Sequence, residues 1–204
     1  MALRLVLATA NPEKASELAA ILADELGELV DLTARPPGLP AVEETGETLE
    51  ENARLKAVAL VAATGEAAVA DDTGLEVAAL GGAPGTRTAR FAGEAASYAD
   101  NVVKLLSVLE GEEDRRARFR TVVVCRLPDG REIVGEGAVE GEITLRPHGE
   151  GGFGYDPVFA PSGSGGRTFA EMSPAEKHQL SHRGIALRSF AARLRQGGMA
   201  IPEA

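Results

Sequence analysis

Among 204 residues there is one cysteine, Cys125, inside the apolar run Val122-Val123-Val124-Cys125. An internal disulfide is excluded, and with no neighbour to lower its pKa the thiol reads as a small buried residue rather than a nucleophile. No uninterrupted apolar stretch approaches the roughly 18 residues of a membrane span. The chain begins directly in a strand-like run, Leu3 to Ala8, without a basic and then apolar leader. A soluble cytoplasmic protein with no membrane partner is expected. Positive charge is scarce, 21 Lys and Arg against 31 Asp and Glu, a net charge of −10. That balance argues against DNA or RNA as a partner, since nucleic-acid binders usually carry a basic face. A small anionic substrate would need a few local cations and a metal. There are only four lysines, at 14, 56, 104 and 177, so their places matter. Three histidines at 148, 178 and 182, without tight pairing, do not make a zinc site. A Walker loop and a Rossmann fingerprint are both missing, as are repeats and long linkers.

What is present reads as an α/β chain, 44% hydrophobic, long enough for one substantial core. Residues 3 to 8 predict a buried strand. Asn11 as N-cap and Pro12 at the first helical position open a helix through Leu18, Ile21, Leu22 and Leu26, closed by Gly27. A second strand is expected near residues 29 to 32, then a breaker-rich loop with Pro36, Pro37, Pro40 and Gly46. Thr48 caps a helix with Leu49, Ala53, Leu60 and Val61 on its apolar stripe. A strand follows at 67 to 72, then a Gly-rich turn at 81 to 85 and a helix opened by Ser97. Residues 118 to 127 and 131 to 138, around Pro128-Asp129-Gly130, predict a hairpin that forms a second lobe or extends the sheet. Ser173-Pro174-Ala175-Glu176 is a capping box, and its helical pattern runs to about Arg195 with a break at Ser181-His182-Arg183-Gly184.

The most informative feature is Ala70-Asp71-Asp72-Thr73-Gly74. A strand ending on paired carboxylates brings oxygen ligands to the carboxyl edge of a sheet, where open α/β folds bind ligands. A hard divalent cation such as Mg2+ fits such ligands; a solvated Asp-Asp turn is the alternative. The loop Thr9-Ala10-Asn11-Pro12-Glu13-Lys14 offers a hydroxyl, an amide, free helix N–H groups and one cation, which suits a phosphate, although an ordinary capped helix has the same pattern. Lys56, Arg87, Arg90, Lys177, His182, Arg183, Glu43 and Glu44 sit near breaks or helix ends, where side chains can converge, or on the solvated surface. In Gly152-Phe153-Gly154-Tyr155-Asp156-Pro157 the rings either stack on a base or belong to the core. His182 is a base reader, a proton carrier or, on its own merits, a helix-terminal surface histidine.

Together these segments resemble the inosine/xanthosine triphosphate pyrophosphatases, enzymes that hydrolyse dITP, ITP and XTP to the monophosphate and pyrophosphate and so keep them out of DNA and RNA. The resemblance runs through Leu7 to Lys14, Glu43 to Gly46, Glu51-Asn52-Ala53 with Lys56, Ala70 to Leu75, Leu80 to Gly85, Gly151 to Pro157, Glu176-Lys177 and Ser181 to Gly184. It implies one domain over residues 1–204, an elongated mixed sheet in two lobes flanked by helices around a central nucleotide cleft, and a homodimer. It implies that Thr9, Ala10, Asn11, Pro12, Glu13 and Lys14 form the triphosphate loop, with Lys56 as a second phosphate cation. Asp72 is then general base and metal ligand, Glu43 the second metal ligand, and Glu44 and Asp71 supporting acids. Thr73 contacts substrate, and Phe153, Gly154, Tyr155, Asp156, Lys177, His182 and Arg183 form the base and sugar pocket. The cofactor implied is Mg2+, with Mn2+ as a substitute. Thr86-Arg87-Thr88 departs from the aliphatic, aromatic and Ser common there in the family. The rival readings are a Maf-like pyrophosphatase of modified pyrimidine nucleotides, a non-catalytic nucleotide sensor and a general phosphatase.

Overall fold

The computed structural model describes residues 2–197. Residues 1 and 198–204, the ends of the expected 1–204 domain, lie outside the described residues. In chain order the elements are β1 (Leu3–Leu7), α1 (Pro12–Leu26), β2 (Val30–Thr33), α2 (Leu49–Thr64), β3 (Ala67–Val77), β4 (Pro84–Gly85), α3 (Tyr98–Val108), β5 (Arg116–Arg126), β6 (Glu132–Ile143), β7 (Phe159–Pro161), α4 (Pro174–Leu180) and α5 (His182–Gln196). The seven strands make one mixed sheet in the order β2-β1-β3-β5-β6-β7, with β4 on β3. β1 runs parallel to β2 and β3, while β4 on β3 and β7 on β6 are antiparallel.

The helices begin where local chemistry starts them. Asn11 Oδ1 accepts from the Lys14 N–H ahead of α1, and complete capping boxes, Thr48 with Glu51 and Ser173 with Glu176, open α2 and α4. Each such cap contributes about 1 kcal/mol. α2 ends at Gly65, whose left-handed φ of 72° a residue with a Cβ would adopt only under strain.

Contacts divide the chain into two compact units. One takes in Met1–Asp72, Thr121–Gly137 and Arg183–Ala204 so far as they are described; the other takes in Thr73–Arg120 and Ala138–His182. In the first unit, strand alternation sorts side chains onto two faces. Leu5, Leu7, Ala67, Val69, Val123 and Cys125 pack with Leu18 and Leu22 of α1 and Leu187 and Phe190 of α5. Val6, Ala8, Ala68, Ala70, Val122 and Val124 pack with Leu49, Ala53, Ala57 and Leu60 of α2. Both faces are covered, as parallel strands require, and each fully buried Leu or Val side chain contributes about 1.5–3 kcal/mol. Cys125 has its thiol pKa pushed up to about 12 by burial, in keeping with a packing role. A Cβ on Gly135 of β6 would stand 2.5 Å from the Ala186 carbonyl oxygen and 2.6 Å from the Phe190 nitrogen, so only glycine lets α5 lie this close.

The second unit has an aromatic core. Phe119 meets Phe159 edge-on at 4.7 Å, Phe159 stacks on Phe169 at 5.3 Å, and the His182 ring stacks on Phe119 at 4.5 Å.

Two expectations about element ends are corrected. β3 does not stop at Asp72 but runs on to Val77. Leu75 and Val77 are fully buried, Leu75 N–H donates to Thr88 Oγ1 at 2.7 Å, and Leu75 and Glu76 pair with β4, so Thr73-Gly74 is pleated strand rather than turn. The break before α5 is narrower than expected: Ser181 alone is extended, and His182, Arg183 and Gly184 are already helical.

Candidate active site

The last rung between β1 and β3 is Ala8 N–H to the Val69 carbonyl, 2.8 Å. Beyond it β1 turns into the Thr9–Asn11 loop while β3 continues, so Asp71 and Asp72 lie past the carboxyl end of a parallel strand, level with that loop. In this loop Thr9 Oγ1 accepts from Asn11 N–H at 3.1 Å, while Ala10, Pro12 and Glu13 are exposed.

Alternation along β3 separates the two aspartates. Asp71 follows Val69 onto the α1/α5 face and Asp72 follows Ala70 onto the α2 face. The pair expected to hold one ligand together is thus divided between two settings.

Asp71, almost fully buried, accepts from Arg183 Nε and Nη2 at 3.2 Å each and lies 3.8 Å from Lys14 Nζ. Arg183 also donates through Nη1 to Glu17 at 2.6 Å. Burial alone would raise the Asp71 pKa; Lys14, Arg183 and Lys56 outweigh it and hold the carboxyl well below the usual range. Lys14 is pushed down from the ordinary lysine value, first by burial, with Lys56 and Arg183 adding repulsion against the pull of Asp71.

On the α2 face, Lys56 Nζ donates to Asp72 Oδ1 at 3.0 Å and to Glu44 Oε1 at 3.1 Å. Asn52 Nδ2 lies 3.4 Å from Asp72 Oδ2. Asp72 has a raised pKa because burial disfavours its charge and Glu44 repels it, more than Lys56 and Lys14 compensate. Lys56 is raised in turn: burial lowers it, but Asp72, Asp71 and Glu44 attract its proton more strongly. A buried carboxyl held near an ammonium, with its pKa moved toward neutrality, is the setting of a general base.

The donor set suits a hard cation. Asp72 and Glu44 already converge on one positive charge, and Mg2+ needs only one or two carboxylates beside water and phosphate oxygens. Among the described residues no three His, Cys, Asp or Glu side chains group as a metal site, and Glu43, expected as the second ligand, is exposed.

In the second unit, Lys177 and Asp156 form a buried pair at 2.7 Å, and Asp156 Oδ2 also accepts from Phe153 N–H at 2.7 Å. The Lys177 ammonium sits 4.7 Å over the Phe153 ring. Gly152 (φ 68°) and Gly154 (φ 64°) carry the backbone through this turn; a Cβ on Gly152 would come within 2.1 Å of Asp156 Oδ2. Tyr155 is buried and its hydroxyl donates to the Thr88 carbonyl at 3.0 Å, so its ring belongs to the core, and burial raises its pKa. His182 is not a surface histidine: it starts a helix, as read, but is buried against Phe119. Arg183, which the resemblance puts in the base and sugar pocket, pairs with Asp71 and Glu17. Thr73 follows Asp72 on β3.

Two residues without a role in the sequence reading belong to the site. Glu17 lies one turn after Lys14 on α1, where an acid reads as solvated surface. Asn52 left a faint signal, a poor helix former inside α2 that is not its cap.

The sequence model of the Ham1 family matches residues 5–193. A protein of Syntrophobacter fumaroxidans named dITP/XTP pyrophosphatase is 50% identical over 185 residues, covering 90% of this chain and 78% of its own. One of the same name from Thermus thermophilus is 48% identical over 200 residues, covering 96% and 93%. Among solved structures, the Staphylococcus aureus Ham1 protein superposes with a TM-score of 0.82 at 40% identity, covering 95% of this chain and 99% of its own. The HAM1 protein of Coxiella burnetii gives 0.84 at 39%, with the same coverage. With sequence and structure in agreement over nearly its whole length, the chain belongs to the Ham1 family.

Proposed function

We propose that this chain is a nucleoside triphosphate pyrophosphatase that hydrolyses dITP, ITP and XTP to the monophosphate and pyrophosphate. The observation that carries the mechanism is the cluster in which Lys56 of α2 holds both Asp72 of β3 and Glu44 of the segment before α2. Its support for the substrate class is membership of the Ham1 family and relatives named for dITP and XTP.

In this reading water attacks the α-phosphorus, the bond from that phosphorus to the bridging oxygen breaks, and pyrophosphate leaves. Asp72 takes the proton of the attacking water; its raised pKa makes it a better base than an ordinary carboxylate. Lys14 and Lys56 balance negative charge on the leaving group. Thr9 and the loop to Lys14 hold the triphosphate, and Thr73 adds a hydroxyl contact. Asp71 keeps Lys14 and Arg183 in place. The residues that would hold Mg2+, or Mn2+ in its stead, are Asp72 and an acid of the 43–44 segment: Glu44 by position, Glu43 by the family resemblance. A bound divalent ion supplies positive charge to phosphate oxygens and makes water more acidic. Comparing the Mg2+ activation constants of Glu43→Gln and Glu44→Gln decides between the two.

By the family resemblance the base-binding role falls to Phe153, Gly154, Asp156, Lys177, His182 and Arg183, with Tyr155 supporting their segment from the core. Phe153 offers a ring face, and a buried donor opposite O6 accepts a 6-oxo purine and refuses adenine, at about 1–3 kcal/mol per unsatisfied group. A cytoplasmic homodimer is part of the proposal, resting on the family resemblance, and light scattering of the purified protein tests the dimer.

The function is tested by incubating the protein with dITP, XTP, dGTP, dATP and dTTP, with and without Mg2+, and assaying pyrophosphate and orthophosphate separately. Metal-dependent pyrophosphate from dITP and XTP alone is expected. Orthophosphate release, preference for dTTP, or binding without turnover would overturn the reading in favour of a phosphatase, a Maf-like enzyme or a sensor respectively.

A further inference from the structure

We propose that Asn52 is a positioning residue for the reaction, its side-chain amide fastening the loop that carries Glu44 at one end and orienting the Asp72 carboxylate at the other. Asn52 is 1% exposed. Its Oδ1 accepts from Gly46 N–H at 2.8 Å. A backbone N–H can only donate, so this contact fixes which way the amide faces and turns Nδ2 toward Asp72 Oδ2 at 3.4 Å. Asp72 Oδ1 is held by Lys56 at 3.0 Å, so each oxygen of the carboxylate faces a donor and the plane of the group is set.

The loop is built around this amide. A Cβ on Gly46 would lie 2.8 Å from Asn52 Oδ1 and 2.6 Å from Glu51 Cβ. Glu51 Oε2 accepts from Glu47 and Thr48 N–H at 2.7 and 3.0 Å. Glu44 stands two residues before Gly46, so the spacing between its carboxylate and that of Asp72 depends on this seam. Helix formation does not account for an asparagine here. Thr48 and Glu51 already cap α2, and asparagine is less favourable than alanine in a helix. Positioning of a group that must meet both water and phosphate is worth large factors in rate.

The proposal rests on Asp72 acting as assigned above, and the experiment separates the two. Asn52→Asp keeps an acceptor for Gly46 N–H and replaces the donor facing Asp72 by a second carboxylate. A buried second carboxylate beside Asp72 lowers the melting temperature, so kinetics are read well below it, where kcat on dITP is expected to fall about tenfold or more, with KM changed less than threefold. Asn52→Ala removes both contacts: kcat falls similarly, and Mn2+ binding to the substrate-free protein, measured by calorimetry, weakens about threefold or more. Gly46→Ala, which alters neither acid, should reproduce the kcat loss by displacing the amide. An Asn52→Asp enzyme with unaltered kcat would overturn the proposal, since the amide would then serve the loop alone. Unchanged Mn2+ affinity in Asn52→Ala would overturn it as well. The calorimetric comparison needs no turnover, so a parent inactive on dITP would sink the assigned reaction while Asn52 is still judged.

Discussion

Asp71 and Asp72 are neighbours on one strand with opposite protonation behaviour, because their side chains point to opposite faces of β3. Asp71 has its pKa lowered, so its contribution to stability is fully present above the unfolded carboxylate value of about 4 and disappears only as pH falls through its depressed folded value. Asp71→Asn leaves Arg183 and Lys14 buried beside a neutral group and is expected to cost about 3–5 kcal/mol at pH 7. The difference in stability from the parent should hold constant down to about pH 4 and shrink below it, which denaturant unfolding at several pH values checks. Asp72 has its pKa raised, so the sign reverses: the folded state binds the proton more tightly, and stability falls as pH rises from about 4 through the folded value. Against Asp72→Asn, the parent should therefore lose melting temperature steadily over that window. The same variant should lose kcat by about 10²–10⁴-fold while remaining folded, as expected for removal of a general base. Unaltered kcat would remove Asp72 from its role.

At the scale of elements, the sequence showed most where the signal was local. Asn11, Thr48, Ser97 and Ser173 start helices because a cap needs only residues three positions away, and Gly27 closes the first of them for the same reason. The strand expected to end at the paired carboxylates runs on to Val77 because Thr88 and β4, contacts from outside it, extend it. The Arg183–Asp71 pair leaves no local trace, since the two residues are 112 positions apart. His182 looked like a surface group because nothing local announces the Phe119 ring. Such contacts depend on how strands are ordered and helices returned, which short-range patterns do not contain. One prediction belongs here. Gly152→Ala forces a left-handed φ on a residue with a Cβ and drives that carbon against Asp156 Oδ2, so the Asp156–Lys177 pair must open. KM for dITP should rise more than kcat falls, and steady-state kinetics on that substrate distinguish this from a loss in chemistry.

The whole molecule carries a net charge of −10 and, in the proposed reaction, must admit a polyanion. Two ranges of electrostatics act against each other. At long range the protein repels the nucleotide, and that repulsion is screened as the Debye length falls from about 30 Å at 0.01 M salt to about 8 Å at 0.15 M. At short range Lys56, with only 14% of its side chain exposed, and Lys14, at 22%, act beside buried carboxylates, where ions in solution screen them less. The two ranges predict an unusual salt response. At fixed free Mg2+, raising NaCl from 0.01 to 0.15 M should increase kcat/KM for dITP by about two- to fivefold, because the repulsive field weakens while the local cations keep their hold. An enzyme steered by an extended basic surface would show the reverse. A steep fall in kcat/KM over this range, in stopped assays at subsaturating dITP, would mean that the cations near the phosphate loop govern encounter as well as binding, and that net charge is a poor guide to the field the nucleotide meets.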